Sequence, residues 1–208
     1  MKSYVFLEQI SVGTHKNFSY LIADKDARLA AVVDPAWEVD KLHSKLAENN
    51  LTLEYIINTH AHYDHIDGNK ALQEKTGAKI VMHESSKAKK DIAIQDAYNL
   101  EVGKVKLRFI HTPGHSPESM CVVVDDFALL TGDTLFIGEC GRVDLPGGDA
   151  GELFESFERI RHLDPDLVVY PGHDYGTTSS STLREQIATN YTLTKRTKSE
   201  FIRFMEQP

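Results

Sequence analysis

The feature that most constrains the fold is a plan of secondary structure that occurs twice along the chain. Each half reads as a strand, a tight turn, a second strand, a helix and a third strand that ends close to a histidine. In the first half the strands are FSYLI, LAAVVD and EYIIN, and the helix covers about residues 38–48. In the second half the strands are MCVVV, FALL and DLVVY, and the helix covers about residues 151–162.

These strands are rich in β-branched residues and are too apolar for sheets with one face in water. Each sheet should therefore be covered by helices on one face and by the other sheet on the opposite face. We predict an α/β fold, a four-layer αββα sandwich with two pseudo-repeated halves, as a single domain over residues 1–208. A short helical tail should occupy about residues 178–208, because Thr182 and Glu185 have the spacing of a capping box at the start of a helix that reaches about Leu193.

Seven side chains suited to binding a metal lie beside the predicted ends of strands. Imidazoles and carboxylates are ligands of borderline divalent ions such as zinc. The seven are His60, His62, Asp64 and His65 in NTHAHYDHIDGN, His115 in TPGHSPES, Asp133 in TGDTLF and His173 in YPGHDYG. We expect these side chains to meet at one edge of the sandwich, where the strands end in loops and polar groups can reach substrate.

The spacing of the clustered ligands predicts their directions. His60, His62 and Asp64 alternate in sequence, so an extended backbone would aim all three side chains the same way. His65 falls where the strand has to bend and would approach a second ion from another side. Asp133 is a lone carboxylate, and its two oxygens can bridge two positive charges. The pattern therefore indicates two divalent ions, which zinc would suit best.

Composition limits the possible partners. The net charge is -8 with scattered Lys and Arg residues, so nothing resembles a basic stripe for a nucleic acid backbone. The segment MKSYVFLEQISVGTHKNF lacks the apolar core of a secretory signal, and no apolar run approaches the roughly 18 residues of a membrane span. With only two cysteines, we expect a cytoplasmic protein that acts on a small molecule. A homodimer in which a second subunit completes the pocket stays open.

The order HAHYDH, GH, GDT, GH, between about Tyr20 and Tyr175, resembles the metallo-β-lactamase superfamily. The resemblance implies one metal held by three histidines, a second held by a carboxylate and two histidines, and a carboxylate between the two metals. In this sequence the first set is His60, His62 and His115, the second is Asp64, His65 and His173, and the residue between them is Asp133. THAHYDHIDGN and GDTLFIGECGR are similar to glyoxalase II-type thioester hydrolases, whereas CGRVDLPGGD and PGHDYGTT resemble persulfide dioxygenases.

The glyoxalase II resemblance implies hydrolysis of a thioester such as a hydroxyacylglutathione. Bound zinc lowers the pKa of water to about 7, so a water shared by two ions would supply hydroxide near neutral pH. Asp64 and Asp133 would be the catalytic carboxylates, and no serine or cysteine nucleophile would be required. A thiol of pKa about 8.5 leaves readily as thiolate and needs little help from a general acid.

The alternative belongs to another reaction class. His60, His115 and Asp133 provide two imidazoles and a carboxylate, the combination that holds one Fe²⁺ with open positions for oxygen and substrate. The resemblance to persulfide dioxygenases implies this arrangement, with glutathione persulfide as substrate. Ligand types alone do not choose between the two reactions. The presence of all seven ligands favours the hydrolase, because two metals require the full set and one iron does not. A metal-bound scaffold without catalysis is the third interpretation.

Three further side chains are candidates, each with a structural alternative. Arg142 is the candidate for binding a substrate carboxylate, and its alternative is an ion pair with Asp144. Tyr175 is a second candidate for substrate binding, and its alternative is packing on the loop. Asp34 ends an apolar run, where it would either accept a hydrogen bond from a ligand histidine or serve as a turn residue before a proline.

Overall fold

Two six-stranded β-sheets lie face to face, and the computed structural model describes them within residues 2–206. The strands of the first sheet, in spatial order, are β1 (Val5–Val12), β2 (Asn17–Asp24), β3 (Leu29–Val33), β4 (Thr52–Ile57), β5 (Lys79–His83) and β6 (Ile92–Ile94). The remaining strands, in chain order, are β7 (Asn99–Val102), β8 (Val105–His111), β9 (Met120–Val124), β10 (Ala128–Gly132), β11 (Leu135–Phe136), β12 (Glu139–Cys140), β13 (Val168–Pro171) and β14 (Ser181–Thr182). The second sheet has the order β14-β13-β10-β9-β8-β7, and β11 and β12 form a separate hairpin.

Helices cover the outer face of each sheet. They are α1 (Val39–Glu48), α2 (Tyr63–Ile66), α3 (Asn69–Thr76), α4 (Ala150–Arg161), α5 (Leu183–Thr189) and α6 (Lys198–Met205), with a 3-10 turn at Tyr191–Leu193. None of the described helices is long and apolar enough to cross a membrane.

The apolar core is divided into three clusters that define the layers. The cluster between the sheets contains Ile57, Phe109 and Leu130, contributed by both sheets. A second cluster packs α1 and α3 on the first sheet, and a third packs α4, α5 and α6 on the second sheet. Helices, sheet, sheet and helices therefore follow one another, and the predicted αββα sandwich is confirmed.

The repeated plan of the sequence is also confirmed. In the first half β2 pairs with β3 antiparallel, and β3 pairs with β4 parallel across α1. In the second half β9 pairs with β10 antiparallel, and β10 pairs with β13 parallel across α4. Parallel neighbours require a long crossover, which the helix supplies. The chain leaves β4 three residues before His60 and leaves β13 two residues before His173.

The tail is helical, but its first helix is shorter than predicted. Thr182 accepts a hydrogen bond from the Glu185 backbone N–H at 3.2 Å, as an N-cap should, whereas the Glu185 carboxylate accepts from Ser181. The helix ends at Thr189, because Asn190 leaves the helical conformation and its side chain caps the following 3-10 turn. Residues 207 and 208 of the predicted tail, and residue 1, lie outside the described residues. The single domain over 1–208 stays a prediction.

Replacement of Phe109 by Ala should destabilise the fold strongly. Phe109 is fully buried between the sheets, and truncating such a ring typically costs about 3–5 kcal/mol through lost burial and the cavity that remains. Urea denaturation should show this loss, while Phe109→Leu, which keeps most of the volume, should lose less than about 1.5 kcal/mol. Equal losses in the two variants would contradict the packing of this ring.

Candidate metal centre

All seven predicted ligands meet at one edge of the sandwich. The first four lie after β4, with His60 and His62 in the loop and Asp64 and His65 in α2. The other three follow strands of the second sheet: His115 lies in the β8–β9 loop, Asp133 follows β10, and His173 follows β13. Six of the seven form two groups of three whose donor atoms lie within 4.8 Å of one another. The seventh, Asp133, lies between the groups.

The first group consists of three imidazoles. Nδ1 of His62 lies 3.1 Å from Nε2 of His60 and 2.9 Å from Nε2 of His115. Nitrogen ligands about 2.0–2.1 Å from a tetrahedral zinc would be separated by about 3.3 Å, which is close to these distances. The three donors are therefore spaced as ligands of one ion.

The second group consists of a carboxylate and two imidazoles. Nε2 of His65 lies 3.2 Å from Nε2 of His173, and Oδ2 of Asp64 lies 3.7 Å and 3.5 Å from these two atoms. His65 and His173 are almost completely buried, so their donor atoms face the centre and not the solvent.

Asp133 contacts ligands from both groups. Its Oδ1 lies 3.3 Å from Nε2 of His65, and its Oδ2 lies 3.2 Å from Nε2 of His173 and 3.7 Å from Nε2 of His115. Oδ1 is buried without a hydrogen-bond partner. A Cβ atom at Gly172 would lie 2.3 Å from Oδ1, so only glycine allows the backbone to pass this close. The carboxylate thus has an unpaired buried oxygen that a cation would satisfy.

The predicted common direction of His60, His62 and Asp64 is wrong. The backbone is extended at His62 but turns into α2 at Tyr63, so Asp64 lies in a helix. Its carboxylate joins His65 and His173 instead of the two earlier histidines. The turn at Tyr63 therefore places Asp64 in the second group, and both groups have the members that the family resemblance implied.

Backbone carbonyls fix the orientation of two ligand rings. Nδ1 of His115 donates to the Arg142 carbonyl at 2.8 Å, and Nδ1 of His173 donates to the His15 carbonyl at 2.9 Å. A carbonyl only accepts, so Nδ1 carries the proton in both rings and Nε2 presents a lone pair to the centre. Nε2 of His115 lies 2.9 Å from Nδ1 of His62, and Nε2 of His173 lies 3.2 Å from Nε2 of His65, so each lone pair points at the other ligands. The donor set therefore fits two divalent cations.

Asp34 supports one ligand in each group. Its Oδ2 lies 3.0 Å from Nδ1 of His65 and accepts from the Thr59 hydroxyl at 2.6 Å. Oγ1 of Thr59 in turn lies 3.1 Å from Nδ1 of His60. Asp34 also has a positive φ of 50° at the turn after β3, so it fulfils both of the roles considered for it.

The environment sets the charge of the histidines. Burial, together with repulsion from the His65 ring, lowers the pKa of His60 well below its usual value, and burial lowers that of His62. Burial also opposes charge on His65, but the Asp133 and Asp34 carboxylates outweigh it and raise the pKa of His65. Neutral imidazole is the form that binds a metal, so the lowered pKa values of His60 and His62 favour metal binding by these two rings.

The structure places the two predicted substrate-binding residues at the rim. Arg142 makes two 2.5 Å contacts with Asp144, the ion pair considered as its alternative. Tyr175 stacks on the His173 ring with centroids 4.7 Å apart, and it is 51% exposed. Both line the cavity that contains His115 and Asp133. Their roles in binding substrate stay predictions.

Sequence reasoning missed one residue that holds a ligand. The Asn17 side chain donates to the backbone carbonyl of Asp64 at 2.9 Å and to its Oδ2 at 3.1 Å. Asn17 begins β2 and lies 47 residues from Asp64, so no local spacing indicates the contact. The carbonyl contacts of His15 and Arg142 were missed for the same reason.

Asp34→Asn should weaken metal binding without unfolding the protein. The amide cannot accept from His65 and Thr59 as the carboxylate does, so a ligand ring in each group loses its orientation. Changes to such partners typically reduce metal affinity about 10–100-fold. Competition for Zn²⁺ with a chromogenic chelator measures the effect, and Asp40→Asn, at an exposed position on α1, is the matched control. Equal zinc affinity in both variants would show that Asp34 does not position the ligands.

The sequence and the fold are similar to those of known proteins. Residues 12–91 and 85–173 match the family described as the metallo-beta-lactamase superfamily. The human mitochondrial persulfide dioxygenase ETHE1 is 35% identical over 205 residues, covering 97% of this chain and 80% of its own. A crystal structure of ETHE1 from Myxococcus xanthus superposes with a TM-score of 0.92 at 31% identity, covering 97% of this chain and 90% of that chain.

Hydrolases are related to a similar degree. The probable polyketide biosynthesis zinc-dependent hydrolase BaeB of Bacillus velezensis is 34% identical over 195 residues, covering 90% of this chain and 86% of its own. A hydroxyacylglutathione hydrolase of Pelagibacter ubique is 35% identical over 163 residues, covering 76% of this chain and 67% of its own. With its fold, its ligand geometry and a family match that spans most of its length, the chain belongs to the metallo-β-lactamase superfamily.

Proposed function

We propose that this protein is a metal-dependent hydrolase of small-molecule thioesters, of which hydroxyacylglutathiones are one type. The observation that carries the proposal is the position of Asp133, with one oxygen near His65 and the other near His115 and His173. A single ion would need only part of this set. Two complete ligand groups with a shared carboxylate between them support a site for two ions, and zinc suits the donors.

Two divalent ions held here would make hydroxide available near neutral pH and would polarise the substrate carbonyl. The protein's part is to hold the donors in place. Asp34, the His15 carbonyl and the Arg142 carbonyl fix four of the imidazoles, directly or through Thr59, before substrate arrives. Ligands held this firmly need little reorganisation during the reaction.

The protein's own thiols are poor nucleophiles. Burial raises the pKa of Cys121 to about 11 and that of Cys140 to about 12, so both stay protonated near neutral pH. Cys140 lines the cavity beside His115 and Asp133, which makes it the cysteine placed to react. Because burial keeps the Cys140 thiol protonated, the structure supports a reaction in which no covalent enzyme intermediate forms.

Thioesters suit this site better than amides do. A thiolate with a conjugate acid of pKa about 8.5 departs without a proton donor, whereas an amine needs one. The Tyr175 ring is the titratable side chain stacked on the His173 ligand, and burial raises its pKa. It holds its proton too tightly to serve as an efficient acid. Related proteins described as a zinc-dependent hydrolase and as a hydroxyacylglutathione hydrolase support the proposal.

Persulfide dioxygenation is the second candidate, and the extent of similarity favours it. The match to human ETHE1 covers 97% of the chain and so includes most of the helical tail, whereas the match to the hydroxyacylglutathione hydrolase covers 76%. His60, His115 and Asp133 also provide the ligands that one Fe²⁺ would need. In this case glutathione persulfide would be the substrate.

Metal content and two assays separate the candidates. Protein purified without added metal should contain about two zinc ions per chain and should hydrolyse lactoylglutathione or a related thioester. About one iron per chain, with oxygen uptake on glutathione persulfide and no thioester hydrolysis, would replace the hydrolase with the dioxygenase. Activity in neither assay would reject both substrate proposals and leave the family assignment unchanged.

Asp133→Ala should abolish turnover under either reaction while the fold persists. The substitution removes the carboxylate that lies between the two groups, and loss of one metal ligand usually costs several orders of magnitude in rate. Circular dichroism and thermal unfolding check the fold, and Asp174→Ala, at an exposed position beside His173, is the control. Turnover at the wild-type rate in Asp133→Ala would show that the bridging role is wrong.

A further inference from the structure

A groove with a volume of about 550 Å³ adjoins the metal centre. The smaller cavity that contains His115 and Asp133 is lined by Glu139 and Tyr175, and the same two residues line the groove. A molecule that reaches the metals through the small cavity can therefore extend into the groove. We call it the hydroxyl groove, because the side chains of Thr177, Thr178, Ser180 and Ser181 line it.

The lining predicts the chemistry of what the hydroxyl groove binds. Hydroxyls and peptide groups offer donors and acceptors that an amide-containing chain can use. An apolar chain would cover these groups without pairing them, which is unfavourable. In a thioester the acyl carbonyl must lie at the metals, so the groove is available to the rest of the substrate. A thiol arm that contains amides fits its lining better than a hydrocarbon does.

The charged groups of the hydroxyl groove are both acidic. Glu139 and Glu185 line it, and no Lys or Arg is among its described lining residues. The nearest cation in the adjoining cavity is Arg142, whose guanidinium is already paired with Asp144. The Glu185 carboxylate accepts from the Ser181 hydroxyl at 2.5 Å, and Glu139 accepts from the Cys140 N–H at 3.0 Å. The Tyr191 hydroxyl also donates to Glu139, and none of these donors is a cation.

We propose that the hydroxyl groove binds the thiol half of the thioester and selects an uncharged, amide-containing thiol over glutathione. The proposal rests on the proposed hydrolase function and names its substrate class more narrowly. A glutathionyl group carries two carboxylates and one ammonium, and hence a net negative charge. The carbonyl that would react is the same whichever thiol is attached, so the charges lining the groove would decide between two thioesters of one acyl group.

The size of the selection follows from Coulomb's law. One carboxylate about 6 Å from a negative charge in water disfavours binding by about 3-fold, so two carboxylates disfavour it by about 10-fold. The effect should shrink as salt is added, because both carboxylates are near solvent.

The test compares lactoyl thioesters of N-acetylcysteamine and of glutathione on the metal-loaded protein. The wild type should prefer the N-acetylcysteamine thioester in kcat/KM. The double variant Glu139→Gln with Glu185→Gln should raise kcat/KM for the glutathione thioester by about 10-fold relative to kcat/KM for the neutral thioester. Glu74→Gln on α3, an exposed carboxylate outside the groove, is the control and should leave both values unchanged. A wild-type preference for glutathione, or a ratio that the double variant does not change, would overturn the proposal.

A binding measurement separates failure of this proposal from failure of the hydrolase function. Calorimetry with the thioethers S-hexylglutathione and S-hexyl-N-acetylcysteamine needs no turnover. Tighter binding of the neutral thioether, with a preference that the double variant loses, supports the selection even if neither thioester is hydrolysed, in which case only the hydrolase function fails. Hydrolysis of both thioesters, with equal binding of both thioethers in all variants, would reject the selection and retain the hydrolase.

Discussion

Donor atoms that repel one another are forced together at one edge of this fold. Three imidazole nitrogens lie about 3 Å apart in one group, and two imidazoles with a carboxylate form the next. Lone pairs and anionic oxygens this close repel one another unless a proton or a metal ion lies between them, because burial removes the water that would otherwise screen them. The unpaired buried oxygen of Asp133 has the same requirement. The contacts around these side chains therefore form a frame that holds the donor atoms close together against this repulsion, which bound cations would remove.

That frame draws on both halves of the sandwich. The first half provides Asp34, which reaches one ligand in each group, and the second half provides the Arg142 carbonyl behind His115. The β1–β2 loop and the start of β2 complete the frame: the His15 carbonyl holds His173, and Asn17 holds Asp64. Because five of the seven ligands are held, directly or through Thr59, by contacts with other segments of the chain, small shifts of one sheet against the other would disturb both groups together. Tight packing between the sheets, as at Phe109, is thus a condition for the geometry of the site.

The sequence predicts the layers, the repeated plan and the seven ligands because each depends on local pattern. Runs such as AAVV and MCVVV indicate strands buried on both faces, and ligands beside glycines mark where such strands end. The sequence pattern predicts the bend at His65, whereas the backbone already turns at Tyr63. Side chains alternate in direction only as long as the backbone stays extended. The hydrogen bonds of Asn17, His15 and Arg142 with the ligands could not be predicted, because they join segments that are far apart in sequence. Two of them also use backbone carbonyls, which carry no sequence signal.

Charge offers a reason why one ligand set can occur in proteins with different substrates. The seven donors would govern the chemistry at the carbonyl or sulfur, but they lie together at the metal centre, five of them buried, and so do not reach the remote end of a substrate. We expect recognition of that end at the rim, where Arg142 is paired with Asp144 and where Glu139 and Glu185 line the hydroxyl groove. Loops at such a rim can change without disturbing the sheets, because they contribute little to the core. The acidic residues at the rim therefore disfavour the binding of an anionic thiol in either candidate reaction. A glutathione thioester and glutathione persulfide both carry the same charged tripeptide.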